Sequence, residues 1–229
     1  MDSTALLQRF RAEVRDEATP YLWSDAEIFG YIDDAQKMFC RMHGGIADSS
    51  SALTTLVAAA GAEFVTVSPL ILKIRAVRNA ATGRDIQLLN YEDLQLGGAG
   101  GQYDYGQYVS NFRFDSTPGE VTGAVEGMEP NKLRLVAIPL EETTLKLVLY
   151  RMPRLTIDSA GLPLEIDEHH HRHLLHWMKY LAHQKQDAET YDRGRAEQFR
   201  NEFEMYCDRA KAERERREHK YRAVAYGGY

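Results

Sequence analysis

Apolar residues recur with helical spacing at both ends of this chain and with strand spacing between them, and that switch of period limits the folds open to it. Residues 3–18 place Leu6, Leu7, Phe10 and Val14 on one side of a helix, which Thr19-Pro20 should stop. Ser24-Asp-Ala-Glu27 is a capping box. Trp23 precedes it, able to staple onto Ile28, and the helix that follows carries Ile28, Tyr31, Ile32, Ala35, Met38 and Phe39 up to Gly44-Gly45. A third helix is predicted from Glu165–Asp167 to about Gln186, with Leu174, Leu175, Trp177, Met178, Leu181 and Ala182 as its apolar face.

Between these ends the texture is that of short strands. Ala52–Ala59, Glu63–Val67, Ile71–Arg78, Ile86–Leu89, Val109–Phe114, Glu120–Glu126, Lys132–Ile138 and Thr144–Tyr150 are separated by turn residues such as Ala81–Asp85, Thr117-Pro-Gly and Glu129-Pro-Asn. The spacing predicts an antiparallel sandwich or barrel-like sheet. The expected fold class is therefore α+β, with helix pairs at 1–48 and 164–210 forming one bundle, a β-domain inserted at 49–163, and an arm at 211–229.

The fourth helical pattern runs from about Asp187 to His219. Its stripe of Ala188, Tyr191, Phe199, Phe203, Tyr206 and Ala210 ends before Lys211-Ala-Glu-Arg-Glu-Arg-Arg-Glu-His-Lys220, a charged run with no evident core-facing side. The chain then closes on Tyr221-Arg-Ala-Val-Ala-Tyr-Gly-Gly-Tyr229. A helix that outlasts its buried stripe and leads into aromatic residues suits docking onto another subunit better than a frayed terminus.

Composition excludes several classes. At 44% hydrophobic and 27% charged residues the chain reads as globular, with no run approaching the ~20 apolar residues of a membrane helix. The start, Met1–Thr4, has no basic or apolar region of a secretory signal, and Cys40 and Cys207 lie in no metal or redox spacing, so a reduced cytosolic origin is expected. A net charge of −6 argues against a general nucleic-acid binder. Charge is uneven, however: Arg209–Arg222 holds seven Lys/Arg against three Glu, net +4, and the remainder carries −10. Pairing at i,i+4, as between Glu213 and Arg217, suits a solvated helix.

Candidate chemistry is sparse. Six of the eight histidines fall in His169–His183, and His169, His173 and His176 have spacings that could present three imidazoles on one helical face to a metal. The internal glutamate of a zincin motif is absent and Leu174-Leu175-x-Trp177 marks a core helix, so no metal, cofactor or catalytic residue is expected. Gly97–Gly106 lacks the Gly-Lys-Ser/Thr of a phosphate cradle. It reads as a surface loop that could order against a neighbour through Tyr103, Tyr105 and Tyr108. A metal enzyme built on the histidines and a carbohydrate-binding module built on the tyrosine loop are the readings from other classes. The terminal helices are idle in the second.

Two stretches carry a resemblance. One is Leu7-Gln-Arg-Phe10 with Asp16, Pro20–Asp25, Glu27-Ile28 and Tyr31-Ile32-Asp33-x-Ala35-Gln36. The other is His171-x-x-Leu174-Leu175-x-Trp177 with Gln184–Thr190, Phe199, Phe203 and the Gly227-Gly228 ending. In these the chain resembles the head-to-tail adaptor (connector) proteins of tailed bacteriophages. The resemblance implies a structural virion protein at the head–tail interface, made in the host cytoplasm, and twelve copies in a ring under the portal protein. It further implies a downstream tail or nozzle partner, and genomic DNA that passes through without sequence-specific contact or any membrane. Projected onto this chain, Arg214, Arg217, Tyr221, Arg222, Val224, Tyr226, Gly227, Gly228 and Tyr229 would bind the portal. A stopper or tail-completion ring in the same stack is the structural alternative.

Overall fold

A computed structural model describes residues 1–92, 117–186 and 190–218. The predicted strand at 109–114 and the glycine–tyrosine loop lie outside the described residues. The chain forms two compact units, Met1–Ile46 with Pro153–Tyr229, and Ala47–Met152.

The first unit holds α1 (Ser3–Val14), α2 (Asp25–His43), α3 (Glu168–Gln184) and α4 (Arg193–Glu218). Helix α1 ends earlier than its apolar pattern suggested, because Arg15 turns left-handed (φ 61) and caps it. The reason lies in a buried polar staple. The Arg11 guanidinium donates to Asp16 (2.7 Å), to the Trp23 carbonyl (3.0 Å) and to Asp25, while Asp16 accepts the Leu22 N–H at 2.8 Å. That staple forces the chain out of helix into a loop that delivers Trp23 to the core, where its ring meets Phe10 edge-on at 5.7 Å. The capping box forms as expected: Glu27 N–H donates to the Ser24 hydroxyl and Ser24 N–H to the Glu27 carboxylate. Helix α2 then buries Ile28, Ile32, Ala35 and Phe39, and also Phe29 and Cys40.

The connector 153–163 packs with the helices. Ile157 is buried and its N–H donates to Asp33 (3.1 Å), Gly161 N–H reaches the Thr4 hydroxyl (2.8 Å), and Leu162 N–H the Ser3 hydroxyl (3.0 Å). Helix α3 buries Leu174, Leu175, Trp177, Met178 and Ala182, with Leu181 only half-buried.

The second unit is a curled sheet of β1 (Ile46–Asp48), β2 (Thr55–Ala58), β3 (Phe64–Thr66), β4 (Ile71–Asn79), β5 (Asp85–Asn90), β6 (Gly123–Glu126), β7 (Lys132–Val136) and β8 (Thr143–Arg151). Hydrogen bonding gives the order β1-β8-β4-β5-β6-β7-β3, and β2 also pairs with β8. Central β8 shows the alternation that builds the core: Leu145, Leu147 and Leu149 are buried, while Lys146 and Val148 are exposed.

Three expectations need correcting. The sheet is mixed, because β5 and β6 run parallel with Gln87 opposite Gly123 and Asn90 opposite Glu126. Such a pair needs a long crossover rather than a hairpin, and 91–122 is that connection. The regular strand expected at Ile71–Arg78 is interrupted, because β4 carries two bulges, so Ile74, Val77 and Asn79 are buried while Leu72 is exposed. Strand β1 was not expected, and residues 52–54 form a 3-10 turn rather than the start of a strand.

Strand β1 earns its place through Asp48. Its carboxylate accepts the Ser50 and Ser51 N–H groups, both at 3.0 Å, and pairs with the buried Arg151 of β8. Burial alone would raise the Asp48 pKa. Hydrogen bonds from Ser51, Ser50 and Arg151 outweigh it and hold the carboxyl well below the ordinary aspartate range.

Candidate docking site at the C-terminal helix

Helix α4 begins at Arg193, where Asp192 accepts the Arg195 N–H at 3.0 Å. The part of the expected helix at 187–189 lies outside the described residues, and Tyr191, expected on the stripe, is exposed. The buried stripe is narrower than predicted and consists of Ala196, Phe203, Cys207 and Ala210. Phe203 is fully buried with its ring 5.2 Å from that of Trp177, and burial drives the Cys207 thiol up to about 12, which keeps it protonated. Phe199 stacks on His183 at 5.8 Å under the Lys179 ammonium.

The stripe does not stop at Ala210. One turn on, Arg214 is half-buried and its guanidinium lies over the left-handed C-cap of α2, donating to the Gly45 carbonyl at 3.5 Å. Glycine is what makes the seat: a Cβ on Gly44 would stand 2.4 Å from the guanidinium, and Gly44 adopts φ +95. Gly44→Ala is expected to cost about 1–2 kcal/mol from the left-handed backbone alone. The guanidinium, at the free end of a flexible side chain, would move aside. Chemical denaturation checks the cost, and faster amide exchange at 211–218 would report the lost seat.

Of the residues read as portal-binding, Arg214 is thus engaged within its own chain, and Arg217 is exposed. Among the described residues the i,i+4 pair in this turn is Arg214–Glu218 (3.6 Å), not Glu213–Arg217. Tyr221, Arg222, Val224, Tyr226, Gly227, Gly228 and Tyr229 lie outside the described residues, as do Tyr103, Tyr105 and Tyr108. The Gly44-Gly45 pair was visible as a helix stop, but nothing in the local pattern pointed to the arginine 170 residues later that uses it.

The histidines are redistributed by the fold. His170 is buried; its Nδ1 is hydrogen-bonded to the Tyr206 hydroxyl at 2.7 Å, and its ring lies 4.6 Å from Phe39 and 5.4 Å from His43. Burial, with His169 and His43 adding to it, pushes the His170 pKa down to about 4, while burial lifts Tyr206 to about 12. His171 Nε2 bonds to the Ile166 carbonyl (2.9 Å), His173 stacks on Tyr206 at 3.5 Å, and His176 faces Glu202 at 2.9 Å. The set His169, His173 and His176 read from helical spacing is therefore not one constellation. These rings mostly serve the contacts of α3 with α2 and α4, which a single-helix pattern does not reveal.

No helix among the described residues is long and apolar enough to cross a membrane. Within this α+β fold, helix α4 is seated on its own helical unit through Arg214 and exposes a charged face at Lys211, Glu213 and 215–217. The chain belongs to the SU10 adaptor protein family, whose model matches residues 1–226 and which comprises phage head-to-tail adaptors. No curated protein matches the chain. Family membership makes it a structural bacteriophage adaptor, in a family that is not an enzyme class, associated in the virion with portal and tail components.

Proposed function

We propose that this adaptor forms a ring, of twelve copies by analogy, that docks under the portal through its C-terminal arm and links it to the tail around the DNA passage. The observation that carries the reading is the seat of Arg214 on Gly44-Gly45: it holds the last described turn of α4, which ends at Glu218, against the helical unit. A fixed base lowers the ordering cost of the arm when it binds. Arg217 and the tail residues Tyr221, Arg222, Val224, Tyr226, Gly227, Gly228 and Tyr229 then supply the contact, with aromatic anchors and a basic excess. Repetition around a closed ring lets each arm bind modestly. Tyr103, Tyr105 and Tyr108 are the proposed contacts to neighbouring copies or to the downstream tail or nozzle protein. DNA passes without base-specific contact.

Co-purification with the portal ring of the same genome, viewed by electron microscopy, tests this. A truncation after Glu218 is the informative variant, because cutting after Ala210 would also remove Arg214 and its intramolecular seat. A ring of density under the portal with the full chain, lost on truncation, is the expected result. Binding that survives truncation moves the interface to the helical body. Attachment to tail components with none to the portal favours the stopper or tail-completion reading.

A further inference from the structure

We infer that Asp167, His169 and His170 at the start of α3 form a binding site for a divalent transition-metal ion of the zinc type. One potential ligand atom from each of the three lies within 4.8 Å of the others. Both of the outer two side chains are exposed, so small rotations bring the set to the shorter ligand spacing that bonds of about 2.0–2.2 Å require. The donors are two imidazoles and one carboxylate, a mixture that suits zinc and its neighbours and is poor for calcium or magnesium, which take oxygen ligands.

Three features set this group apart from a chance cluster at a helix terminus. Asp167 is the N-cap of α3 yet makes no side-chain capping hydrogen bond, although accepting from the first-turn N–H groups is what an aspartate there ordinarily does. The neighbouring carboxylate, Glu168, is already paired with the Met1 ammonium at 2.9 Å, which leaves Asp167 as the carboxylate at hand. His170 is buried and held by Tyr206 of α4 through Nδ1, while its Nε2 makes no hydrogen bond among the described residues. A ring nitrogen anchored by an outer partner, with the other left to coordinate, is the usual arrangement of a metal-binding histidine. His169 and His170 rings lie 3.8 Å apart, and His43 at the end of α2 is the next imidazole, its ring 5.4 Å from that of His170. The fourth position falls to water or to His43. The C-terminal end of α2 carries partial negative charge, which offsets the positive end of α3.

The test is calorimetric titration of Zn²⁺ alone into the untagged full chain after removal of metals. One ion per chain is expected, with affinity reduced at least tenfold in His169→Ala and in Asp167→Asn, and unchanged in His176→Ala. Both sensitive positions are exposed, and circular dichroism establishes that these variants fold, which His170→Ala, packed on Phe39 and Tyr206, need not do. Absence of saturable uptake overturns the proposal. So does uptake unaffected by His169→Ala or Asp167→Asn, or uptake abolished by His176→Ala, which would place the ion elsewhere on the helix.

Discussion

Asp48→Ala is expected to destabilise the β-unit by about 3–5 kcal/mol, lowering its thermal midpoint by on the order of 10 °C or more. The substitution takes the Asp48 carboxylate away from the buried Arg151 guanidinium and frees the Ser50 and Ser51 N–H groups that the carboxylate accepted. It also removes the side-chain pair that reinforces the backbone pairing of β1 with β8. A double-mutant cycle discriminates mechanism from mere damage. Replacing both Asp48 and Arg151 by apolar residues should cost less than the two single substitutions added together, because the buried pair is lost in each of them. The pH dependence follows from the same contacts. A carboxyl whose folded pKa is depressed contributes stability that is fully present above its unfolded value, 3.8, and is lost as pH falls through the range down to the folded value. Acid unfolding below about pH 4 should therefore be steeper in the parent than in Asp48→Ala. Equal slopes in the two proteins, followed by circular dichroism, would sink this account of the pair.

Phe203→Ala is expected to cost the helical unit about 3–5 kcal/mol, the loss of a fully enclosed aromatic plus the cavity it leaves. Phe203 is the largest side chain in the narrow stripe by which α4 holds to the body, and it rests on Trp177. The flanking stripe residues Ala196 and Ala210 are too small to compensate. If the arm needs a seated α4, portal attachment should fall together with stability, and the protection of α4 amides should fall before that of α2. A variant that loses 3 kcal/mol or more yet docks normally would show that the arm works without its base. Denaturant melts combined with the co-purification assay give both readouts.

Helix termini and face patterns were legible because their causes are local. The capping box at Ser24–Glu27, the glycine stop after His43 and the apolar faces of α2 and α3 depend on residues three or four apart, and the structure contains them. The α+β class followed from the switch in period, and the adaptor family from texture at both ends. The expected antiparallel sheet was half right: hairpin turns announce antiparallel pairs, but nothing within β5 or β6 says that they run parallel, since that choice belongs to the crossover between them.

What only the tertiary structure decided involves groups far apart in sequence. Arg11 ends α1 by binding Asp16, Asp25 and the Trp23 carbonyl, so a helix pattern that continues on paper stops in fact. Asp48 and Arg151 are 103 residues apart, and neither is conspicuous until the sheet buries both. A single-helix reading grouped His169, His173 and His176. Packing against α2 and α4 instead gave His170 to Tyr206 and Phe39, His173 to Tyr206, and His176 to Glu202. The charged run after Ala210 shows the difference most directly. Period and composition determined that it would be helical and mostly solvated. That one of its arginines has a berth depends on a bare glycine at the end of another helix, a vacancy that exists only once the two helices are packed together.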